Sequence, residues 1–123
     1  MKLRLFIGIA TTVAAMAFAA LAPAADRAPT DVTIKGTNGD YHGRIDSTRP
    51  QKCVKDRKVT VYKQKGAHQN PSEDKEIGSD TASIENNHGV WSAGNTGFKH
   101  GKFYARAGRT PDCKAGHSQT ISR

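Results

Sequence analysis

Five histidines, His42, His68, His88, His100 and His117, are the side chains of this chain best able to hold a metal or move a proton near neutral pH. No two are spaced two or four residues apart, the spacings that bring a pair of imidazoles to one face of a strand or helix. They fall in predicted turns or at strand ends and read as solvated loop residues. Glu73, Asp74, Glu76 and Asp80 lie close together but lack the alternating Asp-x-Asp-x-Asp-Gly order of a calcium loop, so they too read as a solvated loop. There is no Gly-x-Ser-x-Gly elbow, no His-Glu-x-x-His and no glycine-rich phosphate loop. Catalysis needs a nucleophile or a tuned acid-base group held by partners. The expectation is a protein without catalytic residues, metal or cofactor.

Two further groups carry chemistry of another kind, Cys53 and Cys113. Their state depends on compartment, and the chain start speaks to it. In "MKLRLFIGIATTVAAMAFAALAPAADRAPTDV", Lys2 and Arg4 precede an apolar run from Leu5 to Ala22, and Ala22-Pro23-Ala24 follows as an A-x-A exit. Those are the parts of a secretory signal peptide, residues 1–24, with a membrane anchor as the alternative. Export to an oxidising compartment makes a Cys53–Cys113 disulfide the expected state, with a reactive thiol or metal pair as the alternative.

Charge is the strongest bulk signal. Of 19 Lys and Arg, removal of Lys2 and Arg4 leaves 17 against 11 acids, a net +6. Arg49, Lys52, Lys55, Arg57, Lys58, Lys63 and Lys65 crowd one stretch with Asp56 as its single acid, and Lys99, Lys102, Arg106 and Arg109 crowd another with none. Such an excess favours anionic partners, although lysines also keep small sandwiches soluble and blunt their edges.

The elements that position these groups are strands. Beyond the leader there is no leucine or methionine, and the large apolar residues are β-branched or aromatic. No apolar stripe recurs at helical spacing over three turns. "VTIKGTNGDYHGRI" reads as a hairpin turning at Asn38-Gly39, a register that pairs 36 with 41, 34 with 43 and 32 with 45 and gathers Val32, Ile34, Tyr41 and Ile45 on one face. "STRPQKCVKD" and "KGAHQNPSED" read as loops. "RKVTVYKQ" alternates with Val59 and Val61 inward and Lys58 and Tyr62 outward. "KEIGSDTASI" is a strand interrupted at Gly78; "GVWSA" and "GKFYARA" flank a turn, and "HSQTISR" is a final strand. Seven short strands predict a single antiparallel β-sandwich over residues 32–123, with 25–31 a flexible lead-in.

The stretch "SDT…NNHGVWSAG…HGKFYARA" resembles the Asp-Thr, Gly-x-aromatic and Gly-x-aromatic-x-Ala pattern of carboxypeptidase regulatory-like domains, of the transthyretin-like (prealbumin-like) class of seven-stranded sandwiches. "YHGRI" and "RKVTVYK" fit its front half loosely. The resemblance implies that Trp91 and Phe103 are core anchors alongside Val59 and Val61. The same superfamily contains hydroxyisourate hydrolases, whose site is lined by a Tyr-Arg-Gly-Ser tail. This chain ends "SQTISR", which removes that precedent.

On the outward faces of two strands expected to be neighbours, Lys58, Tyr62, Lys102, Tyr104 and Arg106 would form a cationic face with two tyrosines. The sequence reading is therefore a secreted, monomeric, non-catalytic module that binds an anionic cell-envelope polymer or acidic protein, nucleic acid being the least favoured ligand. Three alternatives compete with it: an inhibitor or effector acting through "KGAHQNPSED" or "AGNTGFKH", a sugar-binding module with Trp91 exposed, and a tetrameric transthyretin-like hydrolase. A disulfide closing a loop of about 60 residues contributes about 4 kcal/mol in the chain-entropy model. Cys53→Ser combined with Cys113→Ser is expected to lose a stabilisation of that order, measured by urea unfolding.

Overall fold

A computed structural model describes residues 26–123; the predicted signal peptide lies outside the described residues. The Asn38-Gly39 turn has φ 56° and 85°, positive at both central positions as a tight two-residue hairpin requires. It joins β2 (Lys35–Thr37) to β3 (Asp40–Ser47), with Gly36 opposite Tyr41. A Cβ at Gly36 would collide with the Asp40 carbonyl oxygen, so only glycine fits there. The same register runs back into β1 (Thr30–Val32), where Val32 lies opposite Ile45.

A one-turn helix, α1 (Pro50–Cys53), opens on a proline, which suits a first helical turn because its missing N–H would find no intrahelical acceptor. It interrupts the stretch read as a plain loop and leads into β4 (Lys58–Gln64). The remaining strands are β5 (Lys75–Thr81), β6 (Ser83–Glu85), β7 (His88–Asn95), β8 (Lys102–Ala107), β9 (Gly116–His117) and β10 (Ile121–Ser122).

Two antiparallel sheets pack face to face. One runs β1-β3-β7-β6 with β2 also on β3; the other runs β10-β8-β4-β5 with β9 also on β8. The protein is an all-β sandwich with ten strands rather than seven, because three expected strands are each divided. The first breaks between β1 and β2. "KEIGSDTASI" changes sheets at Ala82, whose backbone N–H donates to the Arg57 carbonyl and whose carbonyl accepts from Asp56 N–H. The last splits into β9 and β10, both paired with β8. The interruption read at Gly78 is a bulge: Val61 faces Gly78 while Tyr62 faces Glu76, leaving Ile77 unpaired.

Two other expectations are corrected. Residues 28–31 belong to the fold instead of leading into it. Ala28 is buried, its N–H donates to Asp112 O (3.0 Å) and its carbonyl accepts from Lys114 N–H (2.8 Å). And β7 and β8, read as two strands around one turn, lie in opposite sheets, so the 96–101 segment arches across the sandwich.

Between the sheets Val32, Ile34, Tyr41, Ile45, Val59, Val61, Trp91 and Phe103 form one buried cluster. The Tyr41 and Phe103 rings meet at 4.7 Å, a favourable aromatic distance, and the Tyr41 hydroxyl donates to Phe98 O (2.8 Å). Trp91 is 2% exposed, and its indole N–H donates to Arg44 O (3.2 Å). Its ring lies against Gly43, where a Cβ would collide with the Thr33 carbonyl oxygen and press on Trp91 Cζ2. Gly43→Ala is therefore expected to destabilise by about 1–3 kcal/mol, as overpacking does. Gly66→Ala, at a glycine with open space around it, is expected to stay within about 0.5 kcal/mol. Urea unfolding followed by Trp91 fluorescence compares the two.

Candidate functional site

The outer face of the second sheet carries the five residues of the expected cationic face. Strands β4 and β8 are neighbours, with Thr60 opposite Arg106, Tyr62 opposite Tyr104 and Gln64 opposite Lys102. Lys58, Thr60, Tyr62 and Gln64 therefore share a face with Lys102, Tyr104 and Arg106. The strands bring the five to one face, but the face is not open along its length.

Toward Lys102, itself exposed, the tyrosines of the face are covered. Both tyrosines lie on the outer face as expected, but Tyr104 is fully buried and Tyr62 is 7% exposed, so they do not form the open aromatic surface that was expected there. The physical reason is the 65–74 segment, which folds back over the sheet. The Asp74 carboxylate accepts from the Tyr104 hydroxyl (2.6 Å), from Lys65 N–H (2.9 Å) and from Asn70 N–H (2.8 Å). Gln69 donates to Ser118 O (2.9 Å) and to Thr120 Oγ1 (3.0 Å), tying the segment to the chain end. Asp74 is thus a buried structural anchor and not the solvated loop acid its sequence neighbourhood suggests.

The electrostatics follow from these contacts. Burial alone would raise the Asp74 pKa, but the Tyr104 hydroxyl, the two backbone N–H groups and nearby Lys65 outweigh it and hold the carboxyl below its ordinary value. Burial and the Asp74 charge push the Tyr104 phenol far up. Tyr62, stacked on Tyr104 at 5.2 Å, is raised by burial and then by the Glu76 carboxylate, with Arg106 opposing. Both phenols stay protonated at neutral pH, where neither can act as a base.

The Lys58 end is different. Lys58, Thr60, Tyr62 and Arg106 line a cavity of about 310 Å³ with Arg57 and with the Gly108–Thr110 loop that carries Arg109. Arg57 is 5% exposed. Its Nη1 donates to Cys53 O (3.0 Å) and Thr30 Oγ1 (3.4 Å), and its Nη2 to Gly108 O (2.7 Å) and Lys114 O (3.0 Å). Its buried Nε has no partner among the described residues, and burial lowers the guanidinium pKa. The Cys53–Cys113 disulfide, with a Cα–Cα distance of 5.7 Å, pins the 108–114 loop beside α1 and so holds these carbonyls in place.

No Lys or Arg among the described residues lies within 4.0 Å of a carboxylate oxygen; the one contact of ion-pair length is His88 Nδ1 to Asp46 Oδ1, 3.6 Å and exposed. The cations at the cavity are therefore not neutralised by direct contact. Of the five expected face residues, Lys58, Tyr62 and Arg106 meet at this cavity. Lys102, four residues along β8 from Arg106, stands about 13 Å away. Arg57 and Arg109 were legible as basic residues but not as site residues: Arg57 lies just before β4, outside the strand's alternation, and Arg109 reaches the sheet only through the loop that the disulfide pins.

Elsewhere, a wider depression of about 760 Å³ lies over the first sheet, bordered by Lys35, His42, Arg44 and Ser92 with Trp91 beneath. Burial of Trp91 leaves no exposed ring there for a sugar to stack on. Among the described residues no three His, Cys, Asp or Glu side chains are grouped to hold a metal ion, and no helix is long and apolar enough to cross a membrane. No protein-family profile and no characterised protein matches the chain. The transthyretin-like resemblance thus rests on its turn and core positions alone.

Asp74 contributes stability above its unfolded pKa of 3.8 that is lost as pH falls through the depressed folded value. Asp74→Asn leaves at least one buried donor without an acceptor and is expected to cost about 1–3 kcal/mol at pH 7. The difference from the parent should begin to shrink below about pH 4, where the carboxylate of the unfolded chain protonates, and should be least once pH has fallen through the depressed folded value. Urea unfolding at a series of pH values measures both.

Proposed function

We propose that this protein is an exported, monomeric, non-catalytic β-sandwich module that binds an anionic cell-envelope or extracellular partner through the Lys58–Arg106 end of its second sheet. The single observation that carries this reading is the cluster of Arg57, Lys58, Arg106 and Arg109 around one cavity with no carboxylate in contact. Four like charges held together raise the local potential, and an anionic partner relieves their mutual repulsion. The leader supports export, and a disulfide is consistent with an oxidising compartment.

The mechanism is non-covalent. Strands β4 and β8 hold the backbones of Lys58 and Arg106 on a paired sheet, so little backbone ordering remains to oppose binding. The attraction acts between partly exposed charges and is therefore screened by salt. The oxidised protein is expected to co-sediment with isolated cell envelope at low ionic strength and to be released steeply as salt rises. Lys58→Glu with Arg106→Glu should abolish retention, while Lys99→Glu with Lys102→Glu, the same change in net charge at exposed positions outside the cavity, should retain most of it. Equal losses in both variants would indicate a diffuse charge effect and overturn the assignment to this end of the sheet.

A further inference from the structure

We infer that the cavity between β4, β8 and the 108–110 loop is a binding site for a tetrahedral oxyanion, a phosphate or sulfate group, seated among Lys58, Arg106, Arg109 and the Thr60 and Thr110 side chains above the buried Arg57. This inference rests on the functional reading above and names the chemical group it recognises.

Three features select that group. First, the cations come from three chain segments: Lys58 with Thr60 from β4, Arg106 from β8, and Arg109 with Thr110 from the loop. Donors arriving from separate segments suit an anion with oxygens in several directions, whereas a planar carboxylate is met by a single guanidinium fork. Second, the charge is large. A phosphate group carries about −1.5 to −2 at neutral pH, which answers four cations better than a single carboxylate does. Third, Arg57 is a buried cation whose contacts are all neutral oxygens, three carbonyls and one hydroxyl, with its Nε unpartnered. A buried charge without a counter-ion is costly, and an anion in the adjoining cavity supplies one.

Size and neighbourhood agree. About 310 Å³ lies at the lower end of the range for small-ligand pockets, roughly 300–1,000 Å³, enough for the anion and part of whatever carries it. Glu76, exposed on the same face, is engaged by the Tyr62 hydroxyl at 3.5 Å, and no acid is among the residues lining the cavity.

The test is a titration of the ¹⁵N-labelled, disulfide-bonded protein with sodium phosphate, sodium sulfate and sodium acetate at matched ionic strength. Saturable amide shifts confined to residues 57–62 and 106–110, with phosphate or sulfate and not acetate, are the expected result. Arg109→Ala, an exposed position, should fold normally and weaken the affinity at least about tenfold, the effect of losing one charge-assisted hydrogen bond. Lys102→Ala should leave it unchanged. Absent or unsaturable shifts, an equal response to acetate, or full affinity in Arg109→Ala would overturn the site.

Failure of the site is separable from failure of the binding reading. Salt-sensitive envelope retention with no saturable phosphate response overturns the cavity and leaves the reading standing. Saturable phosphate binding that does not displace the protein from envelope keeps the site and overturns its link to the envelope. Displacement by phosphate at matched ionic strength supports both.

Discussion

One buried guanidinium organises the open end of this sandwich. Arg57 reaches Thr30 of β1, Cys53 of α1, and Gly108 and Lys114 on the two sides of the loop after β8. It therefore ties the edge of one sheet to the helix and loop that close the other. Removing a charge from water costs several kcal/mol, and charge-assisted hydrogen bonds to four oxygens offset part of that. The arrangement works only if the carbonyls are already in place. The disulfide meets that condition by holding Cys113 against α1, reinforced by the backbone bonds of Ala28 to Asp112 and Lys114. Staple, helix turn and guanidinium are one device.

The same sheet face ends differently at its two extremes, and the difference has a simple electrostatic origin. At the Lys102 end a carboxylate, Asp74, gathers three donors and draws the 65–74 segment down over the tyrosines. At the Lys58 end the equivalent buried ion is a cation that meets three carbonyls and a hydroxyl and leaves its Nε unpartnered, and no carboxylate contacts the neighbouring lysine and arginines. The tyrosines at one end are covered by a segment anchored on an internal anion; at the other no carboxylate contacts the cations that line the cavity. In the middle the stacked Tyr62 and Tyr104 rings form a wall between the two.

Much of the fold was legible because local chemistry specifies it. Asn38-Gly39 admits the positive φ values of a tight hairpin, and that turn determines which residues of β1, β2 and β3 face each other. Alternation in "RKVTVYKQ" and "GKFYARA" separates core from outer face correctly on both strands. Outer face is not the same as surface, however. Tyr104 points away from the core and is still fully buried, because a segment thirty residues earlier in the chain lies over it. Periodicity reports which side of a sheet a residue occupies and is silent on what covers that side.

By itself, the sequence determined the class of structure, the cysteine pair and the placement of Lys58 and Arg106 on a common face. Turn propensity and alternation act over short stretches, and a lone pair of cysteines is read from composition. Only the tertiary structure decided that β5 and β6 part at Ala82 into different sheets, that β7 and β8 are not partners, and that Arg57 and Arg109 join Lys58 and Arg106 at one cavity. Those outcomes depend on how two sheets stack and on a loop closed across 60 residues by a disulfide. No local pattern encodes such contacts, since they arise from the joint burial of segments that are distant in the chain.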